Sequence, residues 1–158
     1  AWECDEVLHH CARQAYEDNR LHRVTPAFGD ALSCLMGVIG VVSGFGAYVG
    51  PGGARFAIAH GFNEVIRARY VPDPCKYLHG EVVAVGIMAQ LRANGLPWED
   101  IERKERLFRD LNVPTRLSHI DMDYDDTRLN AFIDELLAHC RVQPQFVARV
   151  TEAVRQVR

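Results

Sequence analysis

Two histidines in this sequence stand where imidazoles could hold a divalent metal ion. His60 lies in the apolar run FAIAHGFNEVI, where burying an unpaired imidazole is costly. His79 follows the chain break VPDP, residues 71–74, and opens the segment HGEVVAVG. The positive end of a helix dipole disfavours an imidazolium, and a metal takes the neutral ring. Two neutral histidines on facing helices would form half of a tetrahedral zinc site. Spacing alone leaves the commoner alternative open, in which both are core histidines satisfied by backbone carbonyls. His9, His10, His22, His119 and His139 have no partner pattern and read as surface or loop residues.

Other chemistry is thinner. Five cysteines at scattered spacings, with no CxxC pair, argue against both a disulfide framework and a thiolate zinc site. They read as reduced thiols of a cytoplasmic protein. The segment SGFGAYVGPGGA, residues 43–54, is rich in glycine but lacks the GxGxxG spacing, and GxxxxGK[ST] is absent. The chain therefore has no recognisable nucleotide cradle. Glu81, three residues into HGEVV, reads as a helix N-terminal charge rather than a catalyst.

The elements that must position these residues read as helix after helix. Residues 3–20 carry apolar positions at helical spacing. Thr25 followed by Pro26 is a helix start, with a hydroxyl cap and a proline whose missing N–H costs nothing. The run Ala27 to Val42 is apolar nearly all round, which predicts a helix in the middle of a bundle, with Phe28, Leu32, Leu35, Val38 and Ile39 in the core. A loop at 43–54 precedes a helix over Ala54 to Arg69. A helix over 81–94, entered at His79, ends at Gly95 and Pro97. Further helices are expected at Trp98 to Leu111, Asp126 to Cys140 and Pro144 to Val157. No strand pattern of useful length is present. The expectation is an all-α multi-helix bundle of six or seven helices in a single domain, 1–158.

The segment HGEVVAVGIMAQL is similar to the HGExVAxGxxxQL segment of glycerol dehydrogenases. VTPAFGDALSCLMGVIGVVSGFGAYVGPGGARFAIAHGFNEV resembles that family's succession of helix, glycine loop and histidine helix. NGLPWEDIERKERLFRDLNVPTRLSHIDM resembles the helix that follows. These segments span most of the chain and stand in the family's order. The wider superfamily includes iron-containing alcohol dehydrogenases and dehydroquinate synthases. The resemblance implies the all-α C-terminal part of a two-part enzyme, with a Rossmann-like N-terminal domain that binds NAD(P) expected upstream of Ala1. It implies a zinc or iron ion held by one aspartate and two histidines, and carries the histidines onto His60 and His79. The aspartate belongs on an earlier helix; Asp5 and Asp18 are in the wrong segment, so the third ligand is expected outside this chain. Where the family usually carries a further histidine, this sequence has Asn63 and Glu64. That makes Asn63 a candidate for contact with substrate, and Ser43, Gly44 and Phe45 candidate wall of the cofactor cleft.

The implied activity is NAD(P)-dependent oxidation of a small alcohol or polyol, with the isolated chain inactive and the whole enzyme a homo-oligomer. A dehydroquinate synthase-like lyase fits HGEVVAVG equally but expects two histidines four apart and a lysine on the first histidine helix, where this chain has AIAHGFNEVI. A metal-free helical interaction domain is the reading from outside enzymology. Bulk composition narrows the field. A net charge of −3 offers no basic stripe to nucleic acid. The longest apolar stretch, around Leu35 to Val42, is too short to span a bilayer. No signal-peptide pattern opens the chain.

Overall fold

The computed structural model describes residues 2–39, 57–70, 73 and 76–158. Among them are seven α-helices and no strand. They are α1 (Trp2–Arg20), α2 (Pro26–Ser33), α3 (Ala59–Arg69), α4 (His79–Ala93), α5 (Trp98–Asp110), α6 (Asp126–His139) and α7 (Val147–Arg155). The all-α class is as the periodicity requires. None of the helices is long and apolar enough to cross a membrane. The chain divides into two compact units, Ala1–Gly53 and Ala54–Arg158.

In the first unit α1 and α2 form a hairpin over a small core of Cys11, Ala15 and Ala31, with Leu8, Ala27 and Phe28 beside it. Thr25 caps α2 as expected, its hydroxyl accepting the Phe28 N–H at 3.3 Å. That hydroxyl donates in turn to the buried Asp18 carboxylate, which also accepts from Gln14 at 2.9 Å and Arg23 at 3.1 Å. A carboxylate can be buried at such a corner because three donors replace its water.

The continuation differs from the expected central helix. α2 ends at Ser33, and Cys34–Ile39 is a π-helical turn. Leu32, Leu35 and Met36 are exposed, Met36 by 76%. The hairpin buries the stripe around Phe28 and Ala31 against α1, so the other apolar positions point away from it. The residues expected to build a central helix beyond Ile39 lie outside the described residues, as does the 43–54 loop.

The helix that is buried on every side is α4. Val82, Val83, Ala84, Val85, Met88, Ala89 and Ala93 are all buried, because α3, α5 and α7 pack around it. Its end is as predicted: Gly95 takes φ +67°, and the Gly95 and Leu96 amides bond back to Arg92 and Leu91. Beyond it, α6 packs on α3 through Phe132, whose ring meets Phe62 and Tyr70 edge-on, each at 5.3 Å between centroids.

Candidate metal centre

Both predicted ligands lie in the second unit, each at the start of a helix. His79 is the first residue of α4, and His60 is the second of α3, whose helical stretch begins at Ala59, five residues later than expected. The rings face each other with centroids 5.5 Å apart and planes inclined by 47°. Two imidazoles sharing one tetrahedral zinc at about 2.0–2.1 Å would have ring centres roughly 5 Å apart. The separation of the ring centres is therefore close to that of two imidazoles sharing one ion. Both side chains are exposed, which removes the burial cost that an unpaired imidazole on an apolar helix would carry.

The residues around the pair explain why it forms. The first amides of a helix lack internal acceptors. At α3 the Ala59 N–H finds one in the Gln90 side-chain oxygen of α4, at 3.1 Å. Gly86, one turn before Gln90, lets the two backbones meet beside His60. A Cβ there would lie 2.6 Å from the Ala59 carbonyl oxygen and 2.8 Å from its Cα. Gly86 and Gln90 are the glycine and glutamine of HGEVVAVGIMAQL, so that pattern encodes the α3–α4 contact as well as His79. At the other helix, Glu81 accepts the Leu78 N–H at 2.7 Å and closes the first turn of α4. Glu81 is thus a cap.

Asn63 lies one turn beyond His60 and is 8% exposed. Its oxygen accepts from Arg67 Nε at 2.8 Å, and Arg67 Nη2 donates to the Tyr77 carbonyl at 2.7 Å. Tyr77 and Lys76 also hold Asp121, whose carboxyl their hydrogen bonds keep below the usual range. Glu64, the other residue at the place of the missing histidine, pairs with His139 on α6.

Among the described residues no group of three or more His, Cys, Asp or Glu side chains could hold a metal ion, so His60 and His79 stand as a pair. Asp18 is committed to its corner in the first unit, and Asp5 pairs with His9 at 3.7 Å. Ser43, Gly44 and Phe45 lie outside the described residues. Cys4, Cys11, Cys34 and Cys140 are free thiols. Burial raises the pKa of Cys11 and Cys34, and that of Cys140 to about 11, which keeps them protonated and poorly nucleophilic. His119, read as bland, accepts the Thr115 N–H at 3.3 Å. The Arg67, Gln90 and Glu64–His139 contacts escaped the sequence reading; only the glycine and glutamine of the HGE segment hinted at one of them.

The chain is similar to two bacterial dehydrogenases. It is 27% identical to hydroxycarboxylate dehydrogenase A of Escherichia coli (strain K12) over 134 residues, 85% of this chain and 34% of the relative. It is 32% identical to glycerol dehydrogenase of Escherichia coli O6:H1 (strain CFT073) over 104 residues, 66% of this chain and 26% of the relative. The matched region thus covers about a third and a quarter of those proteins. No family model matches the chain. The similarity supports a dehydrogenase relationship.

Proposed function

We propose that this chain is the metal-holding helical part of an NAD(P)-dependent dehydrogenase acting on a small alcohol, polyol or hydroxy acid. The observation that carries this reading is the pairing of His60 and His79 at the starts of two packed helices, 5.5 Å apart. Two imidazoles are sound ligands for zinc or ferrous iron, and a catalytic zinc needs a third protein ligand and one open position. The third ligand and the nucleotide cradle belong, on this reading, to a further part of the protein. When bound, the ion would act as a Lewis acid that eases loss of the alcohol proton before hydride passes to nicotinamide.

The chain's own residues would do the positioning. The Ala59–Gln90 bond and the Gly86 contact fix His60 against α4. The Glu81 cap sets the direction from which His79 leaves its helix. Asn63, already bonded to Arg67, orients neighbouring groups more readily than it can contact substrate. Ser43, Gly44 and Phe45 would line the cofactor side of the cleft. On the same reading the enzyme is a cytoplasmic homo-oligomer that takes a small-molecule substrate, with no nucleic acid or membrane partner.

The test is calorimetric titration with zinc chloride of the parent chain and of His60→Ala and His79→Ala. Weak binding by the parent, lost in both variants, is expected. Equal binding by all three would remove the assignment. Protons compete with the ion for imidazole, so the parent's binding should weaken on acidification.

A further inference from the structure

We infer that Arg67 is a positioning residue for the His60–His79 pair, holding the start of α4 in register with α3. Its value for function rests on the reading of the two imidazoles as ligands; the register it sets does not.

His60, Asn63 and Arg67 fall at i, i+3 and i+7 of α3, along one face. His60 is at one end of that row and the Arg67 guanidinium at the other. The guanidinium is part-buried and donates from two of its nitrogens to two different acceptors. One goes back to Asn63 on its own helix, at 2.8 Å; the other crosses to the Tyr77 carbonyl, at 2.7 Å. Tyr77 is two residues before His79. The Asn63 bond fixes the guanidinium plane, and the fixed plane sets where the Tyr77 carbonyl must lie. From that carbonyl only Leu78 intervenes before His79, and the Leu78 amide is itself tied to Glu81.

The arrangement is asymmetric in a way that gives Arg67 its importance. His60 is placed by direct contact between helices, through Gly86 and Gln90. His79 begins a helix, so only its C-terminal side is held by helical hydrogen bonds. Its approach segment is exposed at Lys76 and Leu78. The Lys76–Asp121 ion pair ties that segment to the turn at Leu117–Ile120. The Arg67–Tyr77 bond ties it to the helix that carries the other histidine. A planar fork with donors on separate nitrogens suits the task, and a lysine, with one compact ammonium, cannot hold both acceptors in the same plane. Groups that orient metal-binding histidines from behind are commonly worth about 10–100-fold in metal affinity.

The experiment uses the 158-residue chain and the variants Arg67→Met and Arg67→Lys. Three quantities are read: the nuclear Overhauser effect between the His60 and His79 ring protons without metal, zinc chloride affinity, and helix content by circular dichroism. The expected result for Arg67→Met is loss of the ring-to-ring effect and about tenfold weaker zinc binding or more, at parental helix content. Arg67→Lys should fall between the two. If Arg67→Met loses helix content, Arg67→Lys decides: a weakened ring-to-ring effect at parental helicity supports the proposal. An undiminished effect in a folded Arg67 variant overturns it, as does absence of the effect in the parent. A parent that shows the effect, loses it on Arg67 substitution and binds zinc no better than His60→Ala would uphold the positioning role and remove the metal reading alone.

Discussion

The two units of this chain hold themselves together by different means. The second buries large side chains completely: Phe62, Phe132, Ile58, Ile66, Met88, Leu117 and Leu136 are all below 2% exposed. Among the described residues of the first, the core cluster is small, Cys11, Ala15 and Ala31 with Leu8, Ala27 and Phe28 beside it, and its corner is organised by the Asp18 carboxylate. Large apolar side chains make stability a matter of volume, largely indifferent to pH. A buried carboxylate makes it a matter of protonation and of keeping every donor in place. Both histidines of the candidate site stand on the unit of the first kind, where geometry survives changes in solution conditions.

The largest expected effect follows from the ring cluster. Phe132→Ala removes a fully buried ring that touches both Phe62 and Tyr70. It should destabilise the second unit by about 3–5 kcal/mol. Urea denaturation, followed by the amide protection of α4 and α6, would measure this. A loss below about 1 kcal/mol would mean that the cluster repacks and that volume does not govern this unit.

Next is Gly86→Ala. The new methyl would meet backbone of Ala59, which cannot swing aside as a side-chain tip can. Overpacking of this kind costs about 1–3 kcal/mol. The strain falls at the residue before His60, so zinc affinity should drop with stability. A folded Gly86→Ala variant with parental zinc binding would uncouple the helix contact from the histidine pair.

In the first unit the decisive group is Asp18. The Thr25 hydroxyl foremost, and then Gln14 and Arg23, hold its carboxyl below the ordinary aspartate range, against the opposing effect of desolvation. A depressed folded-state pKa means that the carboxylate contributes stability above the unfolded value, near ~3.9. That contribution is lost as pH falls through the lower folded value. Amide exchange at Arg23 and Phe28 should therefore accelerate in acid while the core of α4 stays protected. In Asp18→Asn this acid dependence should vanish. Equal acid sensitivity in the two units would erase the contrast between them.

These contrasts also mark what the sequence could convey. Local signals were legible: Thr25–Pro26 opens α2, Gly95 closes α4, and His79 starts a helix. All-round apolarity was legible as a property but not as a place. Ala27 to Val42 was expected to be the central helix on that ground, yet α4 is the enclosed helix while Leu35 and Met36 are exposed. Apolar composition says that a face needs cover and does not say what covers it. The pairing of His60 with His79 was legible through the HGE pattern. The support from Arg67 and Gln90 was not, because their bonds to Tyr77 and Ala59 join residues brought close only by folding.

The smallest effect is expected where charge is exposed. His139 and Glu64 form a cross-helix pair between α6 and α3, close to Cys140, with side chains 44% and 58% exposed. By sequence Glu64 is next to Asn63 and occupies one of the places where a further family histidine was sought. A functional role is therefore the tempting interpretation. Physical scale argues otherwise. Exposed ion pairs are worth about 0–1 kcal/mol, because water solvates each partner nearly as well and two side chains must be held still. His139→Gln should shift stability by less than about 1 kcal/mol, and less again in high salt, where surface charges are screened. It should leave zinc binding unchanged, since His139 is paired with Glu64 while His60 is paired with His79. His60→Ala should do the reverse, with little change in stability and loss of zinc binding, because His60 too is exposed. Thermal unfolding and zinc titration of the two variants side by side would separate a histidine that decorates the surface from one that holds a ligand. Loss of zinc binding in His139→Gln would move the metal centre to the α3–α6 groove and break the assignment to the α3–α4 helix starts.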